Sequence, residues 1–296
     1  MGNHDESHRD RIINGFVGLV AGGAILLFGV ALATRDGLGA AIGWRAALLA
    51  FAFAAATALA QRFPLHLTYQ TKVYVDTAVL TAAAFVFDVP TAMLVAAAAA
   101  AIHVAFVREG WAPAIFNVAQ TALYVGAGTA VFRALATESL PPALPGLGNL
   151  WAVLASAAVM HLLNTLAVAV VGALQVGVRP WRSWRTGLWL DLPEHVALVV
   201  FGVLIAVVTV DRPWALPFFA VPVAVVYASL RRQIQLRAAT QAAVEGLADT
   251  IDLRDPDQVG HSRRVADHAR RIADRLGINP FETERITAAA RVHDVG

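Results

Sequence analysis

Eight apolar runs of spanning or near-spanning length fill most of this sequence, at residues 13–34, 44–60, 69–87, 91–106, 112–135, 150–178, 194–210 and 213–230. A helix needs roughly 20 residues to cross the hydrocarbon core of a bilayer. The run at 91–106 is the shortest of the eight. Residues 58% hydrophobic and only 15% charged, against about 45–50% and about 25% in soluble domains, carry the same message. The fold class expected is therefore all-α, a polytopic helical membrane bundle. Asp88-Val89-Pro90 reads as a tight turn between the third and fourth spans. Lys72, the sole lysine, falls in the first turn of the third span, where its long side chain can reach back to the headgroups.

The distribution of cations orients the bundle. With the N-terminus inside, the inner segments and span ends hold Arg9, Arg11, Arg62, Lys72, Arg108, Arg179, Arg182, Arg185, Arg231, Arg232 and Arg237, and the outer ones hold Arg35, Arg45, Arg133 and Arg212. Eleven against four fits eight spans with both termini in the cytoplasm of a bacterial inner membrane. Ala31-Leu32-Ala33 resembles a signal-peptidase site, but the acidic and basic tail before it and the length of the apolar run argue for a retained first span. The net charge of +2 gives no reason to expect DNA or RNA as a partner. The absence of Cys excludes disulfides and thiolate metal sites.

Polar residues interrupt the spans at Asp76, His103, Asn117, Gln120, His161 and Asn164. The plainer reading is interhelical hydrogen bonding. The sharper one is a buried sensory pocket in which His103 and His161 would ligate a metal or haem, since intramembrane ionisable groups are costly and often functional. Trp181-Arg182-Ser183-Trp184-Arg185 and the residues to Trp189 read as an interfacial segment, with Trp at the headgroups and Arg toward anionic lipid. Asp191, Glu194 and His195 follow it. Pro217 and Pro222 should bend the last span.

Past residue 230 hydrophobicity falls but no proline intervenes, so the last helix can leave the membrane as a connector. Leu230, Ile234, Val244, Ala248 and Ile251 follow three- and four-residue steps, with Arg237 and Gln241 at the intervening seam positions and Gly246 as a weak point. This suits either one amphipathic helix packed on the next domain or a parallel homodimer helix.

Asp255-Pro256 suits a helix start, with Asp as cap and Pro in the first turn. That helix should run to Leu276 and end at Gly277. Asn279 with Glu282 suggests a second start resembling a capping box. His261 then lies on one helix and His293-Asp294 end the next, and an antiparallel pair would bring them together. Neutral imidazoles and a carboxylate suit a divalent metal. An adjacent His and Asp can feed two neighbouring ions that activate water and stabilise a leaving oxygen in phosphodiester cleavage. Asp257, four residues before His261, would share its helical face and add an oxygen ligand.

Together, Arg254-Asp255-Pro256, Gly260-His261-Ser262, Arg264-Val265, Leu276-Gly277 and His293-Asp294-Val295-Gly296 resemble the opening of the HD-GYP family, a branch of the HD phosphohydrolases. The resemblance spans about the last 45 residues. It implies His261, His293 and Asp294 as metal ligands, with His293 and Asp294 catalytic and two or three divalent ions, iron or manganese, in the complete domain. It implies a phosphate-binding or structural role for Arg264. Asp257 stands where many members carry an aromatic residue, and a carboxylate there joins a third metal in some. The substrate implied is cyclic di-GMP. The further histidines, the Gly-Tyr-Pro loop and the distal Asp of the family are absent from this sequence, so the expectation is an incomplete domain and an inactive fragment of a longer enzyme.

The expected organisation is a cytoplasmic tail at 1–11, a sensory or anchoring bundle at 12–230, a helical connector at 231–254 and the first helices of an HD domain at 255–296. Other readings are an HD hydrolase of another nucleotide (cyclic di-AMP or an alarmone) and a non-catalytic receptor with a degenerate HD module. A transporter is disfavoured by the lack of an inverted repeat and the paucity of intramembrane charge.

Overall fold

The computed structural model describes all residues except 1, 35–42, 63–64, 67–71, 74, 108–109, 137–148, 177–178, 253–259, 279 and 295–296. In chain order the elements are α1 (Gly2–Ala33), α2 (Trp44–Arg62), β1 (Leu65–His66), β2 (Lys72–Val73), α3 (Asp76–Val86), α4 (Val89–Val107), α5 (Trp111–Leu135), α6 (Leu150–Val176), α7 (Pro180–Asp211), a 3-10 helix (Pro213–Phe219), α8 (Ala220–Asp252), α9 (His261–Leu276) and α10 (Pro280–Arg291). The fold is all-α apart from the two-residue antiparallel ladder that pairs Leu65 with Val73 and His66 with Lys72. Contacts divide the chain into two units, one of residues 1–64 and 74–220, the other of residues 65–73 and 221–296.

Among the described residues, six helical stretches are long and apolar enough to cross a membrane: Arg9–Ala33, Trp44–Arg62, Val89–Val107, Trp111–Leu135, Leu150–Gln175 and Pro213–Thr250. Two of the eight expected spans differ. The third does not form one helix over 69–87. Lys72 and Val73 are extended, and α3 starts only at Asp76. At 11 residues it is about 16 Å long, roughly half the hydrocarbon thickness. Lys72 is thus a strand residue and not a first-turn snorkel. The run at 91–106 is instead a full helix, α4. The seventh run is the C-terminal half of α7, whose apolar stretch covers His195–Val210. The Trp- and Arg-rich segment before it belongs to the same helix, with Pro193 inside it.

In the first unit the short α3 lies at the centre, with Ala78, Leu80, Ala82, Ala83 and Ala84 fully buried. Its alanines leave room for close neighbours. At Gly202 of α7 an added Cβ would stand 2.6 Å from the Ala78 carbonyl oxygen and 2.8 Å from Thr81 Cβ, so the two helices touch through backbone. Small residues serve the same purpose in membrane helix pairs generally. Aromatic contacts fill the wider gaps, with Phe85 against Phe132 at 4.7 Å and Phe53 edge-on to Phe87 at 5.3 Å. Both ends of the α3–α4 junction are capped by side chains. Arg133 Nε donates to the Phe87 carbonyl (3.3 Å), and Asp88 Oδ1 accepts from the Thr91 N–H (3.2 Å). A carboxylate at the first turn of α4 and a cation at the end of α3 both suit the helix dipole.

In the second unit, α9 starts at His261; the start expected at Asp255-Pro256 lies outside the described residues. Gly260 has φ +72°, a left-handed conformation that breaks helical continuity on its N-terminal side. Gly277, φ +65°, ends α9. The Ile278 N–H bonds to the Ala273 carbonyl and the Gly277 N–H to that of Asp274, the paired bonds of a Schellman cap. Ser262, Ala266 and Ala273 form its buried stripe, and α10 packs antiparallel against it.

Candidate metal centre

The Schellman turn reverses the chain so that the end of α10 returns to the start of α9. Just past Arg291 the chain leaves the helix in a turn, with the Val292 N–H on the Ala289 carbonyl at 3.2 Å. His293 and Asp294 sit on that turn, across from His261 in the first turn of α9.

Asp294 Oδ2 lies 3.1 Å from His293 Nε2 and 3.6 Å from His261 Nε2, and the two imidazole rings are 5.6 Å apart between centroids. One donor atom from each residue falls within 4.8 Å of the others. Two donors each about 2.1 Å from one ion, at right angles, stand about 3.0 Å apart, so the 3.1 Å edge fits a shared ion closely and the 3.6 Å edge fits a wider angle. The three donor atoms form a cluster that could hold a metal ion. The expectation that His293 and Asp294 feed separate ions concerns further ligands as well. Each of the three side chains is about two-fifths exposed, at 41%, 38% and 43%. One face therefore stays open to water, as catalytic metal sites require.

His293 is oriented from behind. Its Nδ1 lies 2.9 Å from the Ala290 carbonyl oxygen. A carbonyl only accepts, so this contact suits a proton on Nδ1, and Nε2, the nitrogen that faces Asp294, is the atom a metal would take. Such a backing bond is usual for ligating histidines.

The other residues singled out in the sequence are placed as follows. Asp257 lies outside the described residues. Arg264 is exposed on α9, and an added Cβ on Gly260 would be 3.4 Å from its Nη1. In the first unit, Gln61 Nε2 donates to Asp76 Oδ2 (2.7 Å), and Gln120 Nε2 donates to Asn164 Oδ1 (2.6 Å). The carbonyl of Asn117 accepts from Thr121 Oγ1 at 2.7 Å. His161 stacks on His195 of α7, with centroids 4.2 Å apart, and His103 is half-buried on α4. Among the described residues, only the C-terminal cluster gathers three ligand-type side chains.

Sequence reasoning missed Asp249 near the end of α8. Its carboxylate accepts a short hydrogen bond from Arg291 Nη2 and lies 3.6 Å from Arg263 Nη2. Arg291 is 7% exposed, and its Nη1 is buried with no partner among the described residues. An arginine buried in a helix otherwise carrying Ile286, Ala289 and Ala290 was the available signal, since buried arginines need a counter-charge.

Residues 259–296 match the family profile described as HD domain. The match supports the HD superfamily for this segment, and HD domains are in general metal-dependent phosphohydrolases that bind divalent ions. No curated protein and no solved structure matches the chain.

Proposed function

We propose that this chain belongs to a membrane-bound signalling phosphodiesterase whose C-terminal domain is of the HD-GYP type and hydrolyses cyclic di-GMP. The observation that carries the proposal is the convergence of His261, His293 and Asp294, arriving from two helices that bear the motif spacing of that family. The bundle would sense or anchor, and α8 would link it to the catalytic domain. The cation distribution supports cytoplasmic termini. Leu236 and Leu247, both more than half exposed on α8, support a homodimer through that helix.

His261 Nε2, His293 Nε2 and Asp294 Oδ2 would hold a divalent ion, iron or manganese by resemblance. Such an ion, when bound, makes a nucleophile of water at neutral pH and neutralises charge on a phosphoryl oxygen. The Ala290 carbonyl would accept from Nδ1 of the loaded imidazole and hold the ring with Nε2 toward the ion. Asp294 sits between two imidazoles and fixes their approach. The open face leaves room for a substrate phosphate, and by resemblance Arg264, exposed on α9, has a phosphate-binding or structural role. A hydrolase of cyclic di-AMP or an alarmone would use the same three ligands.

The test is to titrate Mn²⁺ into the purified chain and its Asp294→Ala variant, and to measure turnover of cyclic di-GMP, cyclic di-AMP and an alarmone by the full-length gene product. Loss of Mn²⁺ binding in the variant and preference for cyclic di-GMP are expected. Unchanged Mn²⁺ binding in Asp294→Ala would remove the metal centre. Turnover of a different nucleotide alone would keep the centre and reject the HD-GYP assignment.

A further inference from the structure

The Asp249 carboxylate touches both segments that carry the proposed ligands. Arg263 stands in the first turn of α9, two residues after His261. Arg291 is the last residue of α10, two residues before His293. One carboxylate from a third helix thus holds both sides of the cluster from outside it.

The two contacts are unequal. Arg263 is 70% exposed and 3.6 Å away, so water screens that pair and it contributes little. Arg291 is buried, and its hydrogen bond to Asp249 is short and charge-assisted. Among the described residues no other ion pair of Arg291 occurs. Elsewhere α8 and α10 fit loosely. A cavity of about 540 Å³ lies between them, lined by Leu236, Thr240, Val244, Ala288, Ala289 and Val292. The polar contact at Asp249, beside the fully buried Ala248, therefore does what side-chain packing does not do along this seam. It fixes the end of α10, and the turn that follows has only Val292 between Arg291 and His293.

We infer that Asp249 is a positioning residue for the metal centre: by holding Arg291 it sets where the His293–Asp294 turn stands relative to His261, and so sets metal affinity from the end of α8. This rests on the metal-centre reading given above and adds to it a control point outside the ligand set. Asp249 is not one of the three ligands and acts on their spacing through Arg291. Loss of its charge frees the Arg291 guanidinium to seek water, and the turn moves with it.

The probe is Mn²⁺ alone, added to the purified full chain in detergent and followed by electron paramagnetic resonance. Asp249→Asn should weaken Mn²⁺ binding by about tenfold or more, the range found when residues behind metal ligands are removed, and should change the hyperfine pattern of the bound ion. Asp249→Glu should restore both, because it keeps the carboxylate. Arg291→Lys should fall between, because an ammonium keeps the charge but loses the fork. Far-UV dichroism is run on each variant. If Asp249→Asn loses helicity, the decision passes to the Glu and Lys variants, which preserve charge. The inference is overturned if Asp249→Asn binds Mn²⁺ with unchanged affinity and spectrum, or if Asp249→Glu is as impaired as Asp249→Asn. Asp294→Ala separates the two levels. If it abolishes binding while Asp249→Asn does not, only the positioning role fails. If neither variant changes Mn²⁺ binding, the metal centre itself fails.

Discussion

Replacing Gly202 by alanine tests whether α3 is held against α7 by backbone contact. The new Cβ would meet the Ala78 carbonyl oxygen at 2.6 Å and Thr81 Cβ at 2.8 Å, some 0.8 Å inside ordinary van der Waals contact. Neither atom is the end of a flexible side chain, so the helices themselves must part. Overpacking of this kind costs about 1–3 kcal/mol, while Gly to Ala in a helix returns about 0.5–1 kcal/mol. The net expectation is a loss of up to about 2.5 kcal/mol. Gly172 on α6 is the internal control, because an added Cβ there meets nothing within 4 Å, and its alanine variant should gain about 0.5–1 kcal/mol. Gly128 is a second comparison. Its added Cβ would strike Met160 Cγ, but a methionine side chain can turn aside. Thermal unfolding in detergent, read by size-exclusion fluorescence, should rank the three with Gly172→Ala most stable and Gly202→Ala least. Equal melting of Gly202→Ala and Gly172→Ala would show that the α3–α7 contact is not tight and that α3 is not fixed as described.

Two further outcomes follow from the same bundle. Gln61→Leu removes the donor at 2.7 Å from the buried Asp76 carboxylate and should destabilise by about 1–3 kcal/mol, the cost of an unsatisfied buried group; Asp76→Asn in the same background should recover part of it, and no recovery in the melting temperature argues against the pair. A reporter fused after Arg108 should read cytoplasmic, because the eleven-to-four cation split needs the segment containing α3 to cross despite its short helix. An external reading there would mean that α3 enters and leaves on one side.

Legibility varied with the physical signal. Long apolar runs such as 112–135 and 150–178 matched α5 and α6 closely because nothing in them competes with a helix. The run at 69–87 failed because hydropathy ignores backbone preference. Thr71, Val73, Tyr74 and Val75 are strand-forming types, and Lys72 and Val73 pair with Leu65 and His66 instead. The Gly277 stop was readable, since glycine is the usual residue for a left-handed cap. The Asp255-Pro256 start lies outside the described residues, and α9 itself begins just after a second glycine, Gly260, in the left-handed conformation. The ligand trio was legible through motif spacing plus one turn between two helices. Asp249 and Arg291 lie 42 residues apart with no shared period, so their pairing could be seen only in three dimensions.

The unbroken course of α8 has a consequence for how this protein can vary. Its 33 residues make a rod of about 50 Å, and Asp249 faces Arg291 at only one angular setting of that rod. Each residue inserted or deleted between Glu245, which lines the cavity against α10, and Asp249 turns the carboxylate by about 100° relative to that face. Length changes of about seven residues return it nearly to phase, while changes of two or five turn it away. Insertions within this stretch of α8 should therefore weaken the Asp249–Arg291 pair according to residue count, with a periodicity that a flexible segment would erase.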